Sequence, residues 1–296
     1  GDDEQSIGAD ALLDHTSRED NTYHVVWIGL VDTTMVLSGV TVENGNARFS
    51  SESALGGGLY IAGSGSGHST RPRIEHCVFY RNAAYDMGGA IYNDGANGGA
   101  ANMQLTGCTF WSNYAYLNGG AVSNAAEIGG EASPSFVRCT FVGNTSGFEG
   151  GAVLNNGITG GVSSPVFDSC VFENNYARRT GGGVYNYAHS GVSSPVFANC
   201  RFAGNTSRRG GAISNGGIET GQSNPVMRAC VFENNTAESS GGAVYNNGEN
   251  GNASAVFDDC VFTGNSSEFQ GGAVYNEAAS SPRFSKCRFE NNTSSS

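Results

Sequence analysis

The sequence predicts an all-β solenoid, a parallel β-helix of about eight to nine coils with three strands in each. Three observations carry this reading. A glycine pair opens the same segment again and again, at Gly56, Gly88, Gly119, Gly150, Gly181, Gly210, Gly241 and Gly271, a period of about 30 residues. All eight cysteines, Cys77, Cys108, Cys139, Cys170, Cys200, Cys230, Cys260 and Cys287, fall at one phase of that period, each followed two places on by phenylalanine and five places on by asparagine. With 45 glycines and 38% hydrophobic residues, the chain is too glycine-rich for a helical bundle and too regular for disorder. A solenoid grows by adding coils instead of cores, so the 296 residues read as one repeat domain over 37–296, after irregular and introductory segments over 1–36.

Residues 1–20 are polar and carry Asp2, Asp3, Glu4, Asp10, Asp14, Glu19 and Asp20, whose spacing does not match a calcium loop of the EF-hand kind, so solvation is expected. β-Branched and aromatic residues over Tyr23–Trp27 and Thr34–Val42 predict strands of an introductory coil. Leu37–Asn44 reads as a divergent repeat, with Gly39 aligned to the later cysteines and Asn44 to the later asparagines.

Within a repeat, the columns that stay apolar mark the inside. All six prolines precede a cysteine by five residues, where a missing backbone donor is tolerated at a strand's first position. Two residues later comes Ile74, Leu105, Phe136, Phe167, Phe197, Met227, Phe257 or Phe284, expected to point inward. The column from Phe79 through Phe110, Phe141, Phe172, Phe202, Phe232 and Phe262 to Phe289 has no exception and predicts a continuous ring stack. The three-residue step from Phe167 to Cys170 keeps both inside only if the strand bends between them, and a second bend is expected before Asn175. The third strand begins at the glycine pair, which supplies backbone conformations closed to residues with a Cβ. Its Val or Ile column faces in; Tyr92, Ser123, Leu154, Tyr185, Ser214, Tyr245 and Tyr275 vary and are expected to face out. Two asparagine columns, Asn82 to Asn292 and Asn93 to Asn276, are expected to stack their amides along the axis and to tolerate left-handed bends. The Asn-x-Ser/Thr sequons at Asn144, Asn205 and Asn265 fall on the first column, so repetition accounts for them.

Cysteines at one phase of parallel coils stand about 4.8 Å apart with parallel side chains, beyond the usual Cβ separation of a disulfide, about 3.5–4.5 Å. A ladder of reduced, buried thiols is therefore expected, and the absence of Cys-x-x-Cys pairs argues against metal binding.

The pairing of Gly-Gly-Ala-Ile or Gly-Gly-Ala-Val with Phe-x-x-Asn in each coil resembles the repeat of chlamydial polymorphic outer-membrane proteins. It is also similar to the right-handed, single-stranded parallel β-helix repeats of large bacterial surface and secreted proteins in the pectate-lyase-like superfamily. The resemblance covers residues 37–292 and implies an adhesive surface solenoid; the family members are autotransporter adhesins, and no membrane-inserting barrel is evident in this sequence.

Function is less sharply written. The net charge of −12 argues against a nucleic-acid partner, and no apolar run is long enough for a transmembrane helix. Gly1 in place of an initiator methionine suggests a processed or trimmed chain. Polysaccharide lyases and hydrolases share this fold and need paired carboxylates, or calcium-binding carboxylates with a basic residue nearby. Asp168, Asp258, Asp259, Arg138, Arg228 and Lys286 are the candidates, but Asp168 and Asp258 lie three coils apart, too far for a dyad; His76 reads as a surface histidine. Two outward columns offer binding surfaces. Tyr92, Tyr185, Tyr245 and Tyr275 present amphipathic rings suited to sugars or protein partners, against the simpler reading of strand preference. Arg178, Arg179, Arg208 and Arg209 make an anion or acidic-glycan site, or else a salt-bridge ladder with Glu238 and Glu268. The expectation is an extracellular structural or adhesive solenoid of a bacterial surface, without cofactor or catalytic residues, able to stack end to end into filaments; a carbohydrate-binding or polysaccharide-degrading enzyme is the alternative.

Overall fold

The computed structural model describes residues 24–48 and 54–295, so the acidic stretch over 1–20 lies outside the described residues. Nine coils stack in four parallel sheets, each nine strands deep. Coil 6 gives the pattern. Val184–His189 follows the glycine pair and belongs to sheet 1, Val196–Ala198 follows the proline in sheet 2, Arg201–Ala203 follows the cysteine in sheet 3, and Thr206–Arg209 follows the asparagine in sheet 4. Three strands per coil were expected and four main ones are found. The fourth was hidden because in most coils it is only two residues long, as at Ala83–Ala84 and Thr145–Ser146, and two residues cannot display alternation.

Coil 1 already lies within the array. Val26–Gly29 pairs with Leu59–Ala62, and Val36–Ser38 pairs with Arg73–Glu75. The register also moves the divergent repeat by one residue: Thr41 stands opposite Val78 and Asn46 opposite Ala83, which puts Val40, not Gly39, beside Cys77 and Gly45, not Asn44, beside Asn82.

The bends fall where the three-residue steps require them, and a left-handed residue makes each one. The residue before every cysteine has positive φ, from His76 at 53° through Ser169 at 56° to Lys286 at 52°. So does the residue before every asparagine of the first column, as at Arg81, Asn174 and Gly204. The asparagines are therefore not the left-handed residues; their neighbours are. What the asparagine supplies is hydrogen bonds. Asn175 Nδ2 donates to Phe141 O at 3.0 Å and to Asn205 Oδ1 at 2.9 Å, while its Oδ1 accepts from both the backbone N–H and the Nδ2 of Asn144 at 3.0 Å. Two donors and two acceptors are all used, which is what permits a buried amide at an interior corner. The second column is joined amide to amide from Asn93 to Asn276.

Inside the coils, successive rings from Phe79 to Phe289 stack at 4.7–4.9 Å with planes within 5° of parallel. A second stack, Phe136, Phe167 and Phe197, meets the first edge-on and is interrupted at Met227. All eight cysteines are free; seven are buried and Cys287 is half-buried. Each thiol donates to backbone carbonyls, as Cys170 Sγ does to Phe136 O at 3.4 Å. Burial pushes the Cys77 thiol up, and contact with Cys139 followed by burial does the same for Cys108. Sheet 1 begins at a corner too tight for a side chain: a Cβ on Gly89 would sit 2.3 Å from the carbonyl oxygens of Gly120 and Tyr114.

Candidate functional site

The outward tyrosine column does not form an open platform. Tyr92, Tyr185 and Tyr245 are only 8%, 7% and 3% exposed, and Tyr275 is half-buried. They leave the outer face of sheet 1 as expected, but the arm running from each asparagine to the next glycine pair lies over them. A Cβ on Gly56 would meet Tyr92 Cβ at 3.0 Å, one on Gly210 would meet Tyr245 Cβ at 3.1 Å, and the Arg209 guanidinium sits 5.5 Å from the Tyr245 ring. Burial pushes the Tyr92 phenol well up, reinforced by Asp94 and Glu127, and does the same at Tyr185, reinforced by Glu149; near Tyr92, Tyr60 Oη donates to Asp94 Oδ2 at 2.8 Å.

The arm over coil 7 is different. From the asparagine to the following glycine pair the chain takes six residues at Asn82, Asn113, Asn144, Asn175, Asn235 and Asn265, but five at Asn205. The pairing registers the deletion. Ala177 faces Ser207 and Thr180 faces Arg209, so Arg178 and Arg179 together oppose Arg208. Such a bulge kinks the longer strand and re-aims its side chains, and here it crowds three guanidinium-bearing residues onto one corner. The next strand, Ile213–Ile218, carries Ser214 where coils 6 and 8 carry Tyr185 and Tyr245, and Gly216 where they carry Tyr187 and Asn247. Two small residues between larger ones leave a dent in coil 7, and the Tyr185 hydroxyl reaches over Gly216 at its side.

The result is a pocket of about 210 Å³. Ser214 and Gly216 form its floor, Tyr185 and Tyr245 its walls, and Arg179, Arg208 and Arg209 its rim. Thr180 also lines it, and Thr180 Oγ1 is buried with no hydrogen-bond partner among the described residues. Glu149 is the one carboxylate on the lining; burial pushes its carboxyl up, and Arg179 partly reverses the shift. A second cleft of about 600 Å³ adjoins it, bordered by Phe148, Tyr176, Arg178 and Glu238, with Arg179 and Arg208 common to both. The Arg179 guanidinium lies 5.6 Å from the Phe148 ring.

Of the eight binding residues expected from sequence, the fold thus gathers Tyr185, Tyr245, Arg179, Arg208 and Arg209 around one pocket and places Arg178 in the adjoining cleft. Tyr92 and Tyr275 line neither. Glu149, Thr180, Ser214 and Gly216 were not singled out in advance. Their signal was the five-residue step at Asn205 together with the two small residues that follow it. Ion pairs among the described residues form elsewhere, as at Arg201 with Glu173 at 3.1 Å and with Glu233; none joins Arg178 or Arg208 to Glu238.

The catalytic candidates are not brought together. Asp168, Ala198, Arg228 and Asp258 occupy one column in successive coils, so three coil steps separate the two carboxylates. Asp259, Arg138 and Lys286 are the left-handed corner residues before their cysteines, as is His76. The sequon asparagines Asn144, Asn205 and Asn265 are buried with their amides engaged in the ladder. Among the described residues there is no group of three or more His, Cys, Asp or Glu able to hold a metal ion, and no helix long and apolar enough to cross a membrane.

Three segments, 169–187, 229–247 and 259–277, match the Chlamydia polymorphic membrane protein repeat. Each runs from just before a cysteine, through the asparagine and the glycine pair, to one residue past the Val-Tyr-Asn run, and the first contains Arg178, Arg179 and Tyr185. No curated protein and no solved structure matches the chain. The chain is thus a parallel β-solenoid, and three of its segments are similar to the Chlamydia polymorphic membrane protein repeat.

Proposed function

We propose that this chain is an adhesive rod of a bacterial cell surface and that it holds an acidic sugar unit in the pocket over coil 7. The repeat type supports the surface location. The observation that carries the ligand reading is the convergence of two unrelated outward columns, tyrosine and arginine, at coil 7, which the chain enters through the arm that is one residue short. A sugar ring has apolar faces suited to aromatic walls, and a carboxylate or sulfate on it pairs with planar guanidiniums better than with any other side chain. Thr180 Oγ1 offers one more hydrogen bond at the edge of the site.

A glycan array read with the native chain and with Ser214→Tyr tests this. Tyrosine already occupies that column in coils 6 and 8, so the variant fills the dent without a residue foreign to the strand. Signal on carboxylated or sulfated glycans that is lost in the variant is expected. Equal signal on neutral glycans, or signal indifferent to the substitution, removes the reading. Incubation of bound oligosaccharide with the chain, followed by size analysis, separates adhesion from cleavage; intact oligosaccharide is expected.

A second, compatible reading rests on coil 9. Its strand edges in all four sheets have no further neighbour among the described residues, and Phe284 and Phe289 are 38% and 48% exposed there. This edge is shaped to receive another coil of the same repeat, and a second copy of the chain carries such coils. Concentration-dependent sedimentation is the expected outcome; a monomer at all concentrations argues against filament formation.

A further inference from the structure

We infer that the pocket and the cleft beside it are two subsites for one acidic oligosaccharide, which crosses the corner between sheets 4 and 1. This rests on the reading that the pocket takes an acidic sugar, and adds the length and charge pattern of the ligand.

The partition between the two cavities is made of Arg179 and Arg208, and both side chains line both sides. A carboxylate or sulfate at the partition meets guanidiniums whichever cavity its own ring occupies. Beyond the partition the surroundings change in a consistent way. The pocket is closed in by Tyr185 and Tyr245, and it is small enough for a single unit. The cleft is larger, and it offers the Phe148 and Tyr176 rings together with a further cation, Arg178, exposed to solvent. An inorganic anion would satisfy the partition and leave both aromatic surfaces empty. An acidic protein segment would find a cation-lined cleft but would not enter a pocket of about 210 Å³. A chain of sugar rings bearing charge on successive units fits both cavities.

The far edge of the cleft sets a limit. Glu238 lines it and opposes anionic charge there, so the charged groups belong near Arg178, Arg179 and Arg208, with hydroxyls toward Glu238. Glu149 plays the matching part in the pocket: its carboxyl accepts from hydroxyls and discourages a second anionic group on the enclosed unit. The ligand so described carries one negative group per unit, directed at the partition.

The same bulge builds both cavities. Because Arg178 and Arg179 oppose Arg208 alone, one of the pair points into the cleft lining and the other into the partition. A regular strand pair would set Arg178 beside Arg208 on one face and Arg179 beside Arg209 on the other, instead of gathering Arg178, Arg179 and Arg208 at one corner.

Calorimetry on the 296-residue chain tests the inference, with free glucuronate, a disaccharide and a tetrasaccharide built of glucuronate units alone, and inorganic sulfate as probes. The tetrasaccharide is expected to bind at least tenfold more tightly than glucuronate. Arg178→Ala should remove most of that gain and weaken glucuronate binding by a much smaller factor, whereas Ser214→Tyr should weaken both. If glucuronate binds but length brings no gain, or if Arg178→Ala leaves the gain intact, the two-subsite inference fails and the single-site reading stands. If sulfate binds as tightly as the tetrasaccharide and displaces it, the corner is a simple anion site and the inference fails. If none of the saccharides binds, both readings fall together. Thermal unfolding of each variant checks that it is folded.

Discussion

At the residue scale, the asymmetry between inside and outside is measurable at neighbouring positions of one coil. Phe172 is fully buried between Phe141 and Phe202, both 4.7 Å away. Its replacement by alanine should cost about 3–5 kcal/mol, as for other buried aromatics. Asp168 is half-buried on the outer face, where its carboxylate accepts from Asn199 at 3.1 Å, and Asp168→Asn should stay within about 0.5 kcal/mol. Denaturant melts of the two variants check the contrast, and equal losses would overturn the assignment of faces. A second residue-scale prediction concerns pH. Burial raises the carboxyls of Asp86, Glu127 and Glu149, opposed only at Glu149 by Arg179 and reinforced at Glu127 by Asp94 and Asp86. A carboxyl whose folded value exceeds its unfolded value binds its proton more tightly in the fold. Its contribution to stability is therefore fully present below the unfolded value, about 4, and is lost as pH rises through the folded value. The melting temperature should thus rise as pH falls from 7 toward 5. The triple variant Asp86→Asn, Glu127→Gln, Glu149→Gln should flatten that rise more than a charge-matched triple substitution of exposed acidic residues, a control for the relief of the −12 net charge.

At the scale of elements, the pocket is a consequence of one missing residue, and restoring it is the direct test. Inserting a threonine between Arg209 and Gly210 gives the Asn205 arm the six-residue step of its neighbours, with the same Arg-Arg-Thr-Gly order that follows Ala177. The regular pairing this permits should close the corner. We expect loss of acidic-saccharide binding with a melting temperature equal to or above that of the parent chain, measured side by side. Retained binding would mean that the deletion is incidental. The element scale also marks how far the sequence can be read. The phenylalanine, cysteine and asparagine columns were legible because a parallel stack repeats each inward position with little variation. The fourth sheet was not, since strands such as Thr145–Ser146 are too short to carry a pattern. Nor was the covering of Tyr92, Tyr185 and Tyr245: alternation tells which side of a sheet a residue leaves from, but not that an arm from an earlier coil folds over that side. The arginine and tyrosine columns were each visible, yet their meeting depended on a bulge, and a bulge is written as a length difference between coils and not as a residue type.

For the whole molecule, the governing fact is that each coil pairs its strands only with the coils above and below it. Stability in such an array is approximately a sum of coil terms and nearest-neighbour interfaces, so local opening is easiest at the ends and hardest in the middle. The cysteines make this testable without any mutation, because coils 2 to 9 each contain one and all eight are free. A buried thiol held to backbone carbonyls reacts only when its coil opens. Cys287, half-buried in coil 9 where Phe284 and Phe289 are exposed, should be alkylated first. Cys260 should follow, and Cys139, Cys170 and Cys200 in coils 4 to 6 should be slowest, protected by intact coils on both sides. Timed alkylation with mass spectrometry of each cysteine peptide gives the order. After denaturation without reductant, all eight should react, and recovery of a peptide joined to its neighbour by a disulfide would contradict the thiol ladder. If instead the native chain labels all eight at one common rate, opening is a single global event, and the nearest-neighbour account of this solenoid fails. Axial association adds a condition: a second copy seated on coil 9 supplies the missing interface, so the head start of Cys287 should shrink as protein concentration rises.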